Sequence, residues 1–274
     1  SELRMSEEIP GPSRQGITLK ELLRDCEQLI AAYEYDKARQ ILNMARTAAL
    51  ESGVSEKHPT MQRLRTQRMR IAPYWWRTLA HASGTQLRRC RATDAAFVAS
   101  CYANTDFAQR YNRQAPWTGD LGKALEKAGQ QPPLDSGMLQ WIICDGETPI
   151  GLASLSSISA ANRKAEYSIG FAEAPKLSAQ TIVRAQLLLL HFTYFVAGFN
   201  KLYAYIYTDN KEALHNSTHL GFVEEGILRD HYYLPPGRFF DVHAIGLTKA
   251  QLLASPFTLK LARRWLGMDW SALA

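Results

Sequence analysis

The sequence predicts an α/β protein in which one mixed central sheet is flanked by helices, with a small helical region before it. Three observations support this class. Residues 17–72 place apolar side chains at helical spacing, strand and helix patterns alternate from residue 86 onward, and an apolar segment at 182–199 separates two β-rich segments. A helix that connects two strands implies a crossover, so those strands should be parallel neighbours.

The first part of the chain is expected to be helical after a disordered lead-in. Residues 1–16 combine prolines, glycines and charges, which is the composition of a disordered segment. Two stripes of apolar residues predict two amphipathic helices, and a third helix is expected between Pro59 and Pro73. Residues 17–84 are therefore expected to form a helical region. The second helix is similar to the second half of a tetratricopeptide unit, and a generic helical hairpin is the alternative.

Alternating elements follow this region. A short strand near Leu87 leads into a helix capped by Asp94, and two further helices precede a hairpin that turns at Asp145 and Gly146. The remaining predicted elements are a strand at 164–171, the long helix, a strand at 201–207, a helix at 210–220, and strands at 222–229 and 239–247. We expect strands 165–171 and 201–207 to be parallel and splayed apart.

Composition narrows the classes of function. The chain has 274 residues, of which 46% are hydrophobic, and a net charge of +6, so it can bury a substantial core and attract an anionic partner. The histidines His215 and His219 lie one helical turn apart but have no third ligand at a matching spacing. No metal is expected, because the four cysteines also lack metal-ligand spacing: Cys26, Cys90, Cys101 and Cys144.

Location is predicted from the same features. The scattered cysteines fit a reducing compartment, and the polar N-terminal residues lack the layout of a secretory signal, so a cytoplasmic protein is expected. The apolar segment 182–199 is interrupted by Arg184, Gln186 and His191. A buried helix is therefore expected there, and no membrane contact.

A basic segment extends from Arg63 to Arg91. It holds eight arginines and no acidic residue, with Tyr74, Trp75 and Trp76 near its middle. Such a segment can bind an acidic protein partner, whereas nucleic acid is disfavoured. The alternative is a solvated arginine face whose tryptophans pack onto the next domain.

The most informative motif lies near the C-terminal end. Asn210 follows a β-rich segment and opens a short helix that Leu220-Gly221-Phe222 closes. With the hairpin-then-strand segment 149–170 and the hairpin 229–242, this order resembles the GCN5-related N-acetyltransferase (GNAT) superfamily, nearest to the branch that acetylates ribosomal-protein N-termini. The resemblance implies an acyltransferase domain at 85–252 and a C-terminal extension at 253–274.

The resemblance also implies a reaction. An acyl group would move from acetyl-CoA, or another acyl-CoA, to a primary amine of a protein N-terminus, a lysine or a small amine, by direct attack on the thioester. Glu166 is the candidate base, with a surface glutamate as the alternative. Ser217 stands where the family has a tyrosine that protonates the thiolate. Asn210 would anchor the coenzyme arm or cap its helix.

The pyrophosphate loop departs from the family pattern. Relatives have two glycines there, which let backbone amides close around the phosphates at a helix N-terminus, and Thr181 and Val183 take their places. Weaker coenzyme binding, a different acyl carrier and loss of catalysis are the three consequences that this departure allows. The expected coenzyme contacts are Ile169, Phe171, Ser178, Ala179, Gln180, Thr181, Ile182, Val183 and Asn210. A non-catalytic GNAT-like module for protein association or ligand sensing is the alternative.

Overall fold

The computed structural model describes residues 17–114 and 117–274, which fall into two compact units, one ending at Trp75 and the other beginning at Trp76. The lead-in expected over residues 1–16 lies outside the described residues. The domain limits expected at 84/85 and 252/253 stay predictions.

Three helices form the first unit: α1 (Leu19–Ala31), α2 (Tyr35–Glu51) and α3 (Pro59–Arg70). Thr18 caps α1 in a capping box, in which its hydroxyl accepts from the Glu21 amide at 3.2 Å and its own amide donates to the Glu21 carboxylate at 2.7 Å. The apolar faces of the helices bury Ile30, Leu42 and Leu64. The likeness of α2 to a tetratricopeptide helix stays a prediction.

An eight-stranded sheet forms the centre of the second unit, in the order β1-β2-β3-β4-β5-β6-β8-β7. The strands are β1 (Leu79–Ala80), β2 (Thr85–Arg89), β3 (Leu139–Asp145), β4 (Thr148–Ser159), β5 (Lys164–Phe171), β6 (Lys201–Tyr207), β7 (Val223–Leu234) and β8 (Arg238–Thr248). Neighbouring strands are antiparallel except β5 and β6, which are parallel. The predicted α/β class with a mixed sheet is confirmed.

Helices cover both faces of this sheet. They are α4 (Ala95–Ala103), α5 (Thr105–Tyr111), α6 (Leu121–Gln130), α7 (Pro133–Ser136), α8 (Ala179–His191), α9 (Lys211–His219), α10 (Lys249–Leu253) and α11 (Pro256–Leu266). Helix α8 continues into a π-helical turn, Phe192–Val196, and together they account for the apolar segment expected to be one long helix. Four consecutive leucines of α8, residues 187–190, are buried. Within the described ranges, no helix is long and apolar enough to cross a membrane.

The C-terminal segment packs onto the same unit. Thr258 at the start of α11 donates to the Leu220 carbonyl at 3.1 Å, and Trp270 is fully buried with its ring 6.2 Å from that of His191 on α8. These contacts hold the end of α9 and the C-terminal half of α8 in place.

Candidate active site

The strands β5 and β6 diverge after three paired positions. Their parallel pairing joins Lys164–Glu166 to Lys201–Tyr203, although β5 runs on to Phe171 and β6 to Tyr207. In the described part of the chain, the β5 edge from Tyr167 onward therefore has no strand partner on the β6 side. A free strand edge offers backbone N–H and C=O groups to an extended ligand. The prediction of parallel, splayed strands is confirmed.

Glu166 lies at the point where the strands part. Its side chain projects from the same face of β5 as Ser168, because alternate residues of a strand share a face. Both residues line a cavity of about 370 Å³. The aromatic side chains of that cavity come from α4, α5, β6, β7 and β8: Tyr102, Tyr111, Tyr205, Tyr207, Tyr232, Tyr233 and Phe240. The cavity that these side chains line is called the tyrosine cavity below.

The Glu166 carboxylate is half-buried without a cation beside it. It makes no hydrogen bond or ion pair with any residue in the described ranges, and burial raises its pKa. The pKa of Tyr232 is raised by burial and, to a smaller extent, by the negative charge of Glu166. An unpaired carboxylate in such surroundings can bind an ammonium group or accept its proton.

Helix α5 forms one wall of the tyrosine cavity by packing on a glycine of β5. A Cβ atom at Gly170 would lie 2.7 Å from Tyr111 Cδ2 and 3.0 Å from Phe107 Cε2, so the absent side chain lets these rings approach the strand. The two rings stack with centroids 5.1 Å apart. Burial raises the pKa of Tyr111 to about 12, opposed by a hydrogen bond with Ser154, so Tyr111 is a neutral phenol at pH 7.

The residues expected at the pyrophosphate form the N-terminal turn of α8. Ser178 caps the helix by accepting from the Thr181 amide at 3.1 Å, and the two hydroxyls lie 2.9 Å apart. The amides of Ala179 and Gln180 have no hydrogen-bond acceptor in the described parts of the chain. Ile182 and Val183 are half-buried in the following turn. Two amides and the helix dipole are thus free to meet an anion, while the third amide is already satisfied.

Asn210 caps α9, as one of the two alternatives predicted. Its Oδ1 accepts from the Ala213 amide at 3.2 Å, and its Nδ2 donates to the Arg110 carbonyl at 3.4 Å. Each atom can still make a further hydrogen bond, because the amide nitrogen carries two hydrogens and the oxygen two lone pairs, so capping α9 and contacting a coenzyme arm are compatible.

The other expected site residues are distributed around the splayed strands. Ile169 and Phe171 alternate with Ser168 and lie on the opposite face of β5 from Glu166. Ser217 lies half-buried on α9, and among the described residues it is not part of the tyrosine cavity. The structure therefore places Glu166 beside the tyrosines of this cavity. Ser217 lies outside the cavity, away from both Glu166 and those tyrosines.

Sequence reasoning missed the tyrosines of this cavity. The segment Lys201–Tyr207 alternates tyrosine with apolar residues, so Tyr203, Tyr205 and Tyr207 share one face of β6. That period-two pattern was the available signal.

Two ion pairs join α5 and the residues just after it to the β6–α9 turn and the first turn of α9. Arg110 contacts Glu212 at 2.8 Å, and Arg113 contacts Asp209 at 2.6 Å. Because α5 packs on β5, these pairs connect the two splayed strands on the side of the tyrosine cavity.

Several arginines of the basic segment have partners within their own unit. Arg63 pairs with Glu27 at 2.8 Å and Arg65 with Glu56 at 2.7 Å, while Arg88 forms a buried pair with Asp94 at 2.8 Å. Acidic residues outside the segment thus neutralise part of it. An acidic protein partner stays a prediction. Within the described ranges, no group of three or more metal-binding side chains is present.

Comparison with known proteins gives the class to which this fold and site belong. Residues 85–223, about half of the chain, match the model of the acetyltransferase (GNAT) domain. The chain belongs to the GNAT acetyltransferase family.

Individual relatives are more distant. Spermidine N(1)-acetyltransferase of Vibrio cholerae serotype O1 is 29% identical over 106 residues, which cover 38% of this chain and 59% of that relative. The structure of spermidine N-acetyltransferase from Vibrio cholerae in complex with CoA and spermine has a TM-score of 0.52 at 24% identity, covering 62% of this chain and 99% of that chain. Another acetyltransferase structure has a TM-score of 0.53 at 21% identity, covering 69% of this chain and 95% of that one. These structural likenesses show the fold. The expected nearness to the ribosomal-protein branch stays a prediction.

Proposed function

We propose that the protein transfers the acetyl group of acetyl-CoA to a small primary amine by direct attack on the thioester. The observation that carries this proposal is the position of Glu166: a half-buried carboxylate of raised pKa, without a cation, where β5 and β6 part and where the tyrosine cavity begins. Membership of the GNAT family and a relative named for acetylation of spermidine support it.

Glu166 serves as the base in this mechanism. An ammonium group in the tyrosine cavity gives up one proton to the carboxylate, directly or through one water, and the neutral amine then attacks the thioester carbonyl. Amides on the free edge of β5 can donate to the oxyanion that forms. The C–S bond then breaks, and the extra proton of the attacking nitrogen passes to the leaving thiolate, with Ser217 on α9 as the proposed relay through water.

The acetyl donor would lie along the free edge of β5. Ile169 and Phe171 would contact its pantetheine arm, and the amides of Ala179 and Gln180, with the neighbouring side chains of Ser178, Thr181, Ile182 and Val183, would meet its pyrophosphate. Asn210 would contact the arm through the N–H or the lone pair that its present bonds leave free. The α8 N-terminus offers an anionic ligand two free amides, because the Thr181 amide is bonded to Ser178.

The cavity has room for a small amine. Its volume of about 370 Å³ and its walls on α5, β6 and the β7–β8 hairpin suit a ligand of a few carbon atoms. The same proposal extends to two wider classes. The acceptor can be a protein N-terminus or a lysine, and the acyl group can be larger than acetyl.

The test compares two glutamate variants. Glu166→Gln should lower turnover with acetyl-CoA and a primary amine by about 10²- to 10⁴-fold, because it removes the base, while acetyl-CoA binding is unchanged. Glu147→Gln, an exposed change in the β3–β4 turn, is the control and should match wild type. Equal turnover by Glu166→Gln and wild type would remove Glu166 from the reaction.

A non-catalytic module is the second candidate. One observation favours it: the Thr181 amide at the N-terminus of α8 is already bonded to Ser178. Thermal melting with acetyl-CoA and turnover together decide between the two, because binding without turnover also supports the module. At a hundred times its dissociation constant a ligand of the folded state adds about 2.7 kcal/mol, so an unchanged melting temperature at millimolar acetyl-CoA supports the module.

A further inference from the structure

The guanidinium group of Arg113 lies over two aromatic rings of the tyrosine cavity. The carbon of its guanidinium lies 3.8 Å from the ring centroid of Tyr207 and 4.7 Å from that of Phe240. A cation above such rings is attracted to their negative faces. The position that a ligand's ammonium group would take at these two rings is therefore held by the protein's own cation.

Hydrogen bonds fix the guanidinium in this place. Its Nη2 donates to Asp209 at 2.6 Å and its Nε to the Gln109 carbonyl at 3.0 Å, and the side chain is 12% exposed. In the part of the chain that the structure describes, Nη1 has no acceptor. Asp209 is 60% exposed and is not among the described residues that line the cavity, so Arg113 is the member of this ion pair that faces a ligand there.

The charges that line the cavity have opposite signs. Of its described lining residues, Glu166 and Arg113 alone carry a formal charge, and the others are phenols, hydroxyls, amides and apolar groups. A ligand complementary to this lining has one cation and one anion. Guanidinium groups bind carboxylates through parallel N–H bonds, which makes a carboxylate the matching anion.

We propose that the tyrosine cavity selects an amine that also carries a carboxylate, with the amine at Glu166 and the carboxylate at Arg113. A diamine of the same length would place its second ammonium group against a fixed guanidinium, and this repulsion excludes it. The inference deepens the proposed function, because it names the chemical class of the acceptor. An acceptor of this class differs from spermidine, for which the relative from Vibrio cholerae is named.

The test measures binding rather than turnover. Three series of probes share a primary amine and three to six carbon atoms, and they differ at the far end: ω-amino acids, α,ω-diamines and simple alkylamines. Calorimetry on the full chain should show the best ω-amino acid binding about tenfold or more tighter than its matched diamine, because its carboxylate forms charge-assisted hydrogen bonds where the diamine meets repulsion. A diamine that binds as tightly as the amino acid at every length overturns the proposal.

Two variants separate recognition from structural support. Arg113→Gln should weaken the amino acid about tenfold or more and leave the alkylamine within about twofold, because only the bond to the carboxylate is lost. Arg113→Lys, which keeps the charge without the planar fork, should fall between wild type and Arg113→Gln. Equal weakening of all three probes by Arg113→Gln would show a structural role alone and contradict the proposal.

The proposed function can fail independently. If no amine is acetylated while the binding order holds, the acetyl transfer is wrong and the ligand class stands. If amines are acetylated but diamines are preferred in binding, the acceptor class is wrong and the reaction stands. Where Arg113→Gln does not fold, the wild-type comparison of matched probes still decides.

Discussion

Glu166 and Tyr203 are the last partners in the parallel pairing of β5 with β6. Directly paired residues of neighbouring strands project from the same face of a sheet, so the carboxylate and the phenol ring both lie at the point of divergence. The negative charge of Glu166 adds to the rise in the pKa of Tyr203 that burial causes. Beyond this pair the strands separate, and the sheet itself opens a site between its two halves.

The raised pKa of Glu166 predicts a pH-dependent cost in stability. A carboxyl group whose pKa is higher in the folded state makes the free energy of unfolding fall as pH rises above its ordinary value of 4.5, until the folded-state pKa is passed. Glu166→Gln lacks this titration. Its melting temperature should therefore exceed that of wild type more at pH 8 than at pH 4, with Glu147→Gln as control. A larger gain at pH 4 would contradict the assignment.

The α8 N-terminus predicts weak binding of acetyl-CoA. Replacing Thr181 and Val183 together by glycine removes two side chains near the free amides, so the double variant should bind acetyl-CoA more tightly by calorimetry. It should also lose about 1 kcal/mol of stability for each helical glycine. Gln186→Gly, one turn farther along α8, controls for general loosening of the helix. Tighter binding by wild type than by the double variant would show that this turn has its own phosphate geometry.

Gly170 predicts a packing defect when it is replaced. In Gly170→Ala the new Cβ would meet the rings of Tyr111 and Phe107 at 2.7 and 3.0 Å, so α5 has to move. Urea unfolding should show a loss of about 1–3 kcal/mol. Ser168→Ala, on the same face of β5, adds no atom and should change stability much less. A Gly170→Ala variant as stable as Ser168→Ala would show that α5 can shift to admit the new Cβ without loss of stability.

We expect two substitutions of Asn210 to differ in their effects on stability and on acetyl-CoA binding. Asn210→Ala removes the acceptor for the Ala213 amide and should cost about 1 kcal/mol, whereas Asn210→Asp keeps that acceptor and most of the stability. If the side-chain amide also anchors the coenzyme arm, Asn210→Asp should bind acetyl-CoA more weakly while folding normally. Unaltered binding by Asn210→Asp would leave Asn210 a helix cap alone.

Features that depend on neighbouring residues were predictable. The cap at Asn210 is a bond to Ala213 three positions later, and the Ser178 cap has the same spacing to Thr181. The crossover through α8 made β5 and β6 parallel, because the helix returns the chain to the end of the sheet where the first strand began. In contrast, the two-residue strand β1 exists only through its pairing with β2, and its own residues gave no signal.

The sequence by itself determined the class of sheet, the order of its elements and the face of β6 that carries three tyrosines, since period and local capping are properties of adjacent residues. Only the tertiary structure decided that this face encloses a cavity with Glu166 and Arg113 as its charges. That outcome rests on α5 packing against Gly170 and on Arg113 lying over Tyr207. Such contacts join segments far apart in the chain, and burial and pKa depend on the distances they fix.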